Sequence, residues 1–269
     1  MPFVDLDHMK LAYSISGSGA PLICLSGFMA DSKLWQGMAK TLEADFTLIT
    51  IDNRGVGQSS APDGPYTIDM MADDVLALMD HLQIDKAHFV GHSMGGMIVM
   101  ACMQKAPERF LSAVLASTAL KLSPRTQFFL RQYPKVLEYD QQQQEPIKPL
   151  ILAAFSFSNA ILKEQALLDM YFNKQNQSPA EPIAVAKHQL HACLEHDFES
   201  IKPQSYAFSI CICCGDDDIL TTVEDAQNIA QKLKGSTVTV CPGAGHILQF
   251  ENSQLFCQII QQTCKESRQ

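Results

Sequence analysis

The sequence predicts an α/β fold with a mostly parallel sheet of eight strands and helices on both faces. Short apolar runs alternate with segments of helical periodicity along most of the chain, which is typical of parallel strands joined by helical crossovers. The 269 residues, 46% of them hydrophobic, are enough for a large core. One long helix-rich stretch interrupts the alternation after the sixth expected strand and indicates an inserted subdomain.

Eight segments are expected to form the strands. The first two are polar and alternating and predict an antiparallel hairpin at the sheet edge, whereas most of the later ones are apolar enough for buried parallel strands. The expected strands are Pro2–Asp5, Lys10–Ser16, Leu22–Leu25, Thr47–Ile51, Ala87–Val90, Leu111–Ala116, Ser209–Cys214 and Thr237–Cys241.

Helices are expected between these strands. Residues 68–82 carry apolar side chains at helical spacing, so one face of that helix should pack on the sheet. Thr222, with Asp225 three residues later, matches a capping pair and predicts a helix that runs through Leu233.

Residues 123–202 are expected to form a helical cap, inserted into a core made of residues 1–122 and 203–269. This stretch is irregular, rich in proline and long apolar side chains, and lacks the strand–helix alternation. Some of these apolar side chains should pack together within the cap, and others should line a pocket over the site described next.

A Gly-x-Ser-x-Gly turn lies between the fifth expected strand and the helix after it, and reads Gly91-His92-Ser93-Met94-Gly95. A strand that breaks sharply into a helix forces its middle residue to a positive φ, and the glycines avoid clashes in so tight a turn. The start of the helix offers free N–H groups and the positive end of its dipole. The pattern therefore predicts that Ser93 is an exposed nucleophile.

A serine hydroxyl needs a histidine base and an acid that orients it. Among the eight histidines, His246 alone lies in a glycine-rich loop after a strand-like run, where open α/β sheets place their sites. The acid should follow an earlier strand, and the run Gly215-Asp216-Asp217-Asp218 offers three carboxylates. The third position favours Asp218, because such a loop turns back toward the site there; Asp216 and Asp217 stay open as alternatives.

These motifs, in this order, resemble the α/β-hydrolase family over nearly the whole chain. Serine, acid and histidine follow one another as they do in that fold. A further matching segment is Asp52-Asn53-Arg54-Gly55. We interpret that loop as structural, with its arginine and acid pinning the end of a strand.

The resemblance implies an oxyanion hole made of two backbone N–H groups. One belongs to Met94, directly after the serine, and the other to Phe28, in the loop after the third strand. Relatives usually carry His-Gly at the start of that loop, so Ser26 is a departure from the pattern. Because the donors are backbone groups, the change need not abolish the hole, but it bears on how the loop is braced.

Together these residues predict a serine hydrolase that cleaves small-molecule carboxylic esters of small to medium acyl groups, with no metal or organic cofactor. The resemblance points to small monoacyl esterases, including enol-lactone hydrolases and the pimeloyl-carrier-protein methyl ester esterase of biotin synthesis. Acyl transfer, perhydrolysis and carbon–carbon hydrolysis on the same residues stay open, since fold does not fix function. The intact serine, acid and histidine disfavour a non-catalytic sensor.

An acyl carrier protein as partner would require a basic cap surface. The cations scattered over the cap are Arg125, Arg131, Lys135, Lys148, Lys163, Lys174, Lys187 and Lys202. The net charge of −9 argues against binding to nucleic acid or anionic membranes. The N-terminal residues do not match a signal peptide, no apolar run could span a membrane, and nine cysteines without a secretion signal suggest the cytoplasm.

Two clusters resemble metal-ligand sets, but we interpret both as structural. The segment Cys211-Ile212-Cys213-Cys214 lies in an expected strand, whose neighbouring residues face opposite sides, and it lacks a second ligand pair at zinc-like spacing. A second cluster, formed by His188, His191 and Glu195, could share one helix face, for which packing is the preferred interpretation.

Overall fold

A computed structural model of the protein describes residues 1–6, 9–143, 146–176 and 180–266. The strands within these ranges are β1 (Phe3–Leu6), β2 (Met9–Gly17), β3 (Ala20–Leu25), β4 (Phe46–Ile51), β5 (Ala87–His92), β6 (Phe110–Ala116), β7 (Gln204–Ser205), β8 (Ser209–Gly215), β9 (Leu233–Lys234) and β10 (Thr237–Cys241). The α-helices are α1 (Gln36–Leu42), α2 (Ile68–His81), α3 (Met94–Lys105), α4 (Pro124–Asp140), α5 (Lys148–Ser156), α6 (Gln165–Asn176), α7 (Ile183–Glu195), α8 (Val223–Lys232), α9 (Leu248–Glu251) and α10 (Ser253–Glu266).

Eight strands form one sheet in the order β1-β2-β4-β3-β5-β6-β8-β10. Strand β2 is antiparallel to both β1 and β4, and all other neighbours are parallel. The prediction of a mostly parallel eight-stranded sheet with an antiparallel edge hairpin is confirmed. The short strands β7 and β9 pair with each other, apart from this sheet.

The sheet separates two hydrophobic cores, as the alternation of side chains along a strand requires. In β3, Ile23 and Leu25 face a core that contains residues of α2 and α3. The intervening Leu22 and Cys24 face a second core that contains residues of α1 and α10. Both faces of the sheet are therefore covered by helices.

Local signals set the ends of the core helices. Helix α8 begins with a complete capping box, in which the Thr222 side chain accepts from the Asp225 N–H and the Asp225 carboxylate accepts from the Thr222 N–H. The helix ends at Lys232, one residue before the expected Leu233, because Leu233 has left the helical conformation and pairs in β9.

The region expected to be a cap contains the helices α4 to α7, between β6 and β7. Its buried residues Tyr133, Leu137 and Ala186 form a cluster that packs against Phe28 and Met29, in the loop after β3. The boundaries of a cap at residues 123 and 202 stay a prediction. Within the described ranges, no helix combines the length and the apolar character needed to cross a bilayer.

Candidate active site

Ser93 occupies the turn from β5 to α3, with φ 55° and ψ −118°, a backbone region that residues with side chains rarely adopt. A Cβ atom at Gly91 or Gly95 would overlap backbone atoms of the turn or of β3. The Ser93 N–H donates to the Ala116 carbonyl at 2.9 Å, and the Thr118 hydroxyl donates to the Ser93 carbonyl at 2.8 Å. The strained turn is thus held in place by β6 and the residues that follow it.

The structure brings Ser93, His246 and Asp218 into one hydrogen-bonded chain. His246 Nδ1 lies 2.8 Å from Asp218 Oδ2, and its Nε2 lies 3.1 Å from Ser93 Oγ. Because an ionised carboxylate only accepts hydrogen bonds, Nδ1 is the donor and Nε2 is left to accept the serine proton. The Asp218 side chain is completely buried, so the hydrogen bond between Asp218 and His246 is shielded from water.

The surroundings of Asp218 keep its carboxylate ionised. Its Oδ1 accepts from the N–H groups of Leu220 and Thr221 at 2.8 and 3.0 Å, and its Oδ2 accepts from the Thr221 hydroxyl at 2.8 Å. Burial raises the pKa of Asp218, but the charge of His246 and these hydrogen bonds outweigh burial and hold the pKa below its ordinary value. Asp218 can therefore stabilise a positive charge that develops on His246.

The three adjacent carboxylates of this loop make different contacts. Asp216 accepts from the Gly243 N–H at 2.6 Å, and Asp217 accepts from the Asn159 side-chain amide at 2.8 Å. Of the three, Asp218 is the one that contacts His246, so the geometry selects it over the two alternatives. Asp216 instead braces the histidine loop, and Asp217 fastens a cap segment.

The loop after β3 approaches Ser93 from the neighbouring strand. Because β3 and β5 are parallel neighbours, this loop and the serine turn leave the sheet at the same edge. A Cβ atom at Gly27 would lie 3.1 Å from Ser93 Cβ, so the two segments are in close contact. Within the described part of the chain, the N–H groups of Phe28 and Met94 have no hydrogen-bond acceptor and remain available to an oxyanion.

Ser26, the departure noted in the sequence, is buried and fully engaged. Its hydroxyl accepts from Trp35 Nε1 and donates to the Asp31 carbonyl, both at 3.0 Å. Its carbonyl accepts from Asn53 Nδ2 at 3.1 Å. The loop is therefore braced by the contacts of Ser26 with Trp35, Asp31 and Asn53.

A family model described as the α/β hydrolase fold matches residues 20–253, which is most of the chain. The chain belongs to the α/β-hydrolase family. The 3-oxoadipate enol-lactonase 2 of Acinetobacter baylyi is 31% identical to it over 247 residues, which span 91% of this chain and 88% of the relative.

Solved structures show the same fold. A thermophilic esterase from Thermogutta terrifontis matches with a TM-score of 0.84 and 23% identity, covering 100% of both chains. The enol-lactonase from Burkholderia xenovorans LB400 matches with a TM-score of 0.82 and 23% identity, covering 98% of this chain and 100% of the other. The prediction of the α/β-hydrolase fold is confirmed.

In this α/β hydrolase, the loop after β4 holds the end of that strand through two separate sets of contacts. Arg54 is buried and makes two hydrogen bonds, at 2.8 and 2.7 Å, to the carboxylate of Asp74 in α2. Asp52 instead accepts from the N–H groups of Ser32 and Gln58, both at 2.8 Å. The arginine and the acid thus pin the strand end to different neighbours.

His92, inside the serine turn of the hydrolase, supports the histidine loop. Its Nε2 lies 2.9 Å from the carbonyl of His246, which can only accept, so Nε2 carries the proton. The two imidazole rings are 4.9 Å apart between centroids. Burial and, to a smaller extent, the neighbouring His246 lower the pKa of His92 to about 3, so the ring stays neutral beside His246.

The cap is fastened directly to the histidine loop. The His246 N–H donates to the Ser156 carbonyl at 2.8 Å. The Glu251 carboxylate accepts from the Ser158 N–H at 3.1 Å and from the Gly245 N–H at 3.0 Å, so one side chain bridges cap and core. The position of His246 therefore depends on the cap segment that follows α5.

The two clusters that resembled metal sites make other contacts. His188 packs against the Tyr66 ring, with centroids 5.0 Å apart, and His191 Nδ1 lies 3.1 Å from the Tyr66 carbonyl. Cys211 and Cys213 face one core and Cys214 faces the other. Among the described residues, no group of three or more metal-ligating side chains is arranged to hold an ion.

Two of the cap cations form ion pairs with acids of the same region. Lys148 is buried and its ammonium lies 2.8 Å from Glu181, while Lys187 lies 3.0 Å from Glu138. An acyl carrier protein as partner stays a prediction.

Sequence reasoning missed Gln189 and Glu251, which connect the cap to the loops of the site. Gln189 had a detectable signal, because it is a lone polar residue within the apolar stripe of α7 formed by Val185, Ala186 and Cys193. A polar side chain on a buried helix face is expected to have hydrogen-bond partners. Glu251 had no comparable signal, since it lies in the short helix α9.

Proposed function

We propose that the protein is a serine hydrolase of carboxylic esters that works through an acyl-enzyme intermediate. The observation that supports this most directly is the hydrogen-bonded chain from Ser93 through His246 to Asp218, beside the unengaged N–H groups of Phe28 and Met94. A nucleophile, a base, an orienting acid and two oxyanion donors are the groups that acyl transfer to a serine requires.

In the acylation step, Ser93 Oγ bonds to the acyl carbon while His246 Nε2 takes the hydroxyl proton. The carbonyl electron pair moves onto oxygen, and the N–H groups of Phe28 and Met94 stabilise that charge. Asp218, ionised and buried, stabilises the imidazolium. When the tetrahedral intermediate collapses, the bond to the alcohol oxygen breaks and His246 returns its proton to that oxygen.

In the deacylation step, water replaces the alcohol. His246 Nε2 takes a proton from water as its oxygen bonds to the acyl carbon, and the same oxyanion donors stabilise the second tetrahedral intermediate. Collapse breaks the bond to Ser93 Oγ, which regains the proton from His246. Each step uses side chains and backbone groups of this chain, and none calls for a metal or an organic cofactor.

Lactones form a second candidate substrate class, favoured by the 31% identity to an enol-lactonase over 91% of the chain. A lactone is an ester whose alcohol stays attached to the acyl group, so the same attack and proton transfers open the ring. The leaving oxygen then remains in the site until deacylation, which requires a pocket that holds both ends of the product.

The test compares the parent with Ser93→Ala on p-nitrophenyl esters of increasing acyl length and on simple and enol lactones. We expect the parent to hydrolyse one of these series and Ser93→Ala to lose about 10⁴-fold or more in kcat/KM. Ser14→Ala, in the antiparallel strand β2, is the matched control and should keep parental activity.

Mass spectrometry of the parent after reaction with a p-nitrophenyl phosphonate should place the adduct on Ser93. Equal hydrolysis by the parent and by Ser93→Ala would reject the proposal. Added hydroxylamine separates hydrolysis from acyl transfer, because a transferase would partition strongly toward the hydroxamate at low nucleophile concentration.

A further inference from the structure

Gln189 is a fully buried amide on α7, and two separate loops of the core use its two polar atoms. Its Oε1 accepts from the Met29 N–H at 2.8 Å, and its Nε2 donates to the Arg54 carbonyl at 3.0 Å. The side chain is 0% exposed. Because a buried amide with unmet hydrogen bonds is costly, both bonds hold the side chain in one orientation.

The first of these bonds acts on the loop that carries Phe28. The Met29 N–H belongs to the peptide group that joins Phe28 to Met29, so it is one residue from the proposed oxyanion donor. Met29 has φ 55°, a backbone conformation that is strained for a residue with a side chain. The loop therefore needs an external contact to keep this conformation.

Small movements of this loop act directly on the nucleophile. Gly27 lies so close to the serine turn that a Cβ atom there would be 3.1 Å from Ser93 Cβ. On the other side, the Phe28 ring packs edge-on against Tyr133 of α4, with centroids 5.1 Å apart. The loop is thus enclosed between the nucleophile and the cap, with Gln189 as its polar contact to α7.

The second bond ties Gln189 to a rigid part of the core. Arg54 is fixed by its two hydrogen bonds to Asp74 in α2. Next to it, a Cβ atom at Gly55 would contact Val185 of α7 at 2.5 Å, so the helix and this turn are closely packed. Gln189 therefore links the loop that carries Phe28 to a turn that is itself firmly held.

We propose that Gln189 is a positioning residue that aligns the Phe28 N–H with the oxygen that becomes negative during acyl transfer. The cap helix α7 thereby contributes to stabilisation of the transition state, in addition to enclosing substrate. The inference rests on the proposed function, because it takes Phe28 as an oxyanion donor.

The test uses a readout that general loss of packing does not change. A thionoester carries sulfur where the oxyanion forms, and sulfur accepts hydrogen bonds from N–H groups weakly. The ratio of kcat/KM for an oxoester to that for its thionoester therefore reports how well the two donors are aligned. A merely structural role for Gln189 would lower both rates together and leave this ratio unchanged.

Three variants are compared with the parent. Gln189→Met removes both hydrogen bonds at similar volume. Gln189→Glu keeps an acceptor for the Met29 N–H and serves also if the Met variant fails to fold. Gln127→Met is the matched control, because Gln127 is a cap glutamine that donates to the Leu122 carbonyl at 2.9 Å, away from the oxyanion loop.

For Gln189→Met we expect kcat for the oxoester to fall by about 10- to 100-fold with little change in KM, because displacing a donor costs somewhat less than deleting one. The oxoester-to-thionoester ratio should fall by about fivefold or more, while Gln127→Met keeps the parental ratio. For Gln189→Glu, the rate relative to the parent should rise as the pH falls, since the protonated acid can both accept from Met29 and donate to Arg54.

The outcomes separate this inference from the proposed function. If Ser93→Ala is inactive but the ratio is parental in both Gln189 variants, Gln189 is structural and the inference is wrong, while the proposed function stands. If Ser93→Ala keeps activity, the proposed function itself fails. An inactive Ser93→Ala together with a reduced ratio in Gln189→Met supports both.

Discussion

The parallel sheet and the helical cap place groups around Ser93 by different means. The sheet presents Ser93, Asp218 and His246 on loops that follow β5, β8 and β10 at the same end of the sheet, and hydrogen bonds such as those of Thr118 and Thr221 fix these loops. The cap acts through single side chains or carbonyls that bridge distant parts of the chain. Its two principal contacts are Gln189 with Met29, and Ser156 with the N–H of His246.

This difference predicts how substitutions in each region affect the activity and the stability of the protein. Groups placed by the sheet are held by the strands and by several hydrogen bonds each, so their loss acts on the chemistry with little effect on the fold. Groups placed by the cap depend on one or two hydrogen bonds. Loss of one of these bonds should therefore both shift a reacting group and weaken the attachment of the cap. The variants below test this difference between sheet and cap, from the largest expected effect to the smallest.

The largest effect is expected for the acid on the sheet side. Asp218→Asn should lower kcat by about 10⁴-fold, because the amide cannot stabilise the imidazolium and favours the wrong tautomer of His246. Asp217→Ala is the matched control from the same loop, and its loss of the Asn159 contact should cost less than about tenfold. Steady-state kinetics on the best p-nitrophenyl ester measure both.

If Asp217→Ala loses as much activity as Asp218→Asn, the choice of acid is wrong, or the cap segment at Asn159 matters as much as the acid itself. Circular dichroism and the melting temperature must be parental for Asp218→Asn, so that the loss belongs to the chemistry.

A smaller effect is expected for the bridge between cap and histidine loop. Glu251→Ala leaves the N–H groups of Ser158 and Gly245 without their acceptor, which should lower the free energy of unfolding by about 1–3 kcal/mol. The displaced His246 should lower kcat by about 10- to 100-fold. Glu251→Gln keeps one acceptor oxygen and should fall between the parent and the alanine variant in both measurements.

Urea unfolding and kinetics on the same preparations check this prediction. A loss of stability without any loss of kcat would show that the bridge holds the cap but does not position His246.

The smallest effect is expected for the dependence of stability on pH, to which a buried histidine of the cap region, His196, should contribute. Burial lowers the pKa of His196 to about 4, below its ordinary 6.5. Between these values the unfolded chain binds a proton that the folded protein does not, so stability falls as the pH drops from 6.5 toward 4. His196→Phe should reduce that slope by up to about 1.4 kcal/mol per pH unit.

Urea unfolding at several pH values between 4.5 and 7 measures the slope. His92 should contribute a second, similar dependence, so the variant is expected to weaken the acid sensitivity and not to remove it. A slope equal to that of the parent would rule out His196 as a contributor.

The segments that form the main strands, and the pairing of Ser93 with His246, could be predicted from sequence because each leaves a local mark. Strand-length apolar runs, glycines around a tight turn and a histidine after a strand are all visible within about ten residues. The capping box at Thr222 is equally local, and it was confirmed to the residue at which α8 begins.

The rest of the site depends on contacts that no local pattern contains. Three consecutive carboxylates are equivalent until the loop direction is known, and that direction follows from the contacts of Asp216 with Gly243 and of Asp217 with Asn159. The contact of Arg54 with Asp74 on α2 likewise follows from packing and leaves no local mark in the sequence. Gln189 reaches Met29 across 160 positions, a distance over which sequence spacing carries no information.

The bond between the His246 N–H and the Ser156 carbonyl bears on how molecules enter and leave. Swinging the whole cap outward would break that bond, the Glu251 bridge and the Gln189 amide contacts at once, at about 1–3 kcal/mol for each buried donor left unpaired. Such an opening would also displace His246 and the loop that carries Phe28. Passage to Ser93 is therefore expected with the cap seated, through rearrangement of individual side chains at the mouth of the site.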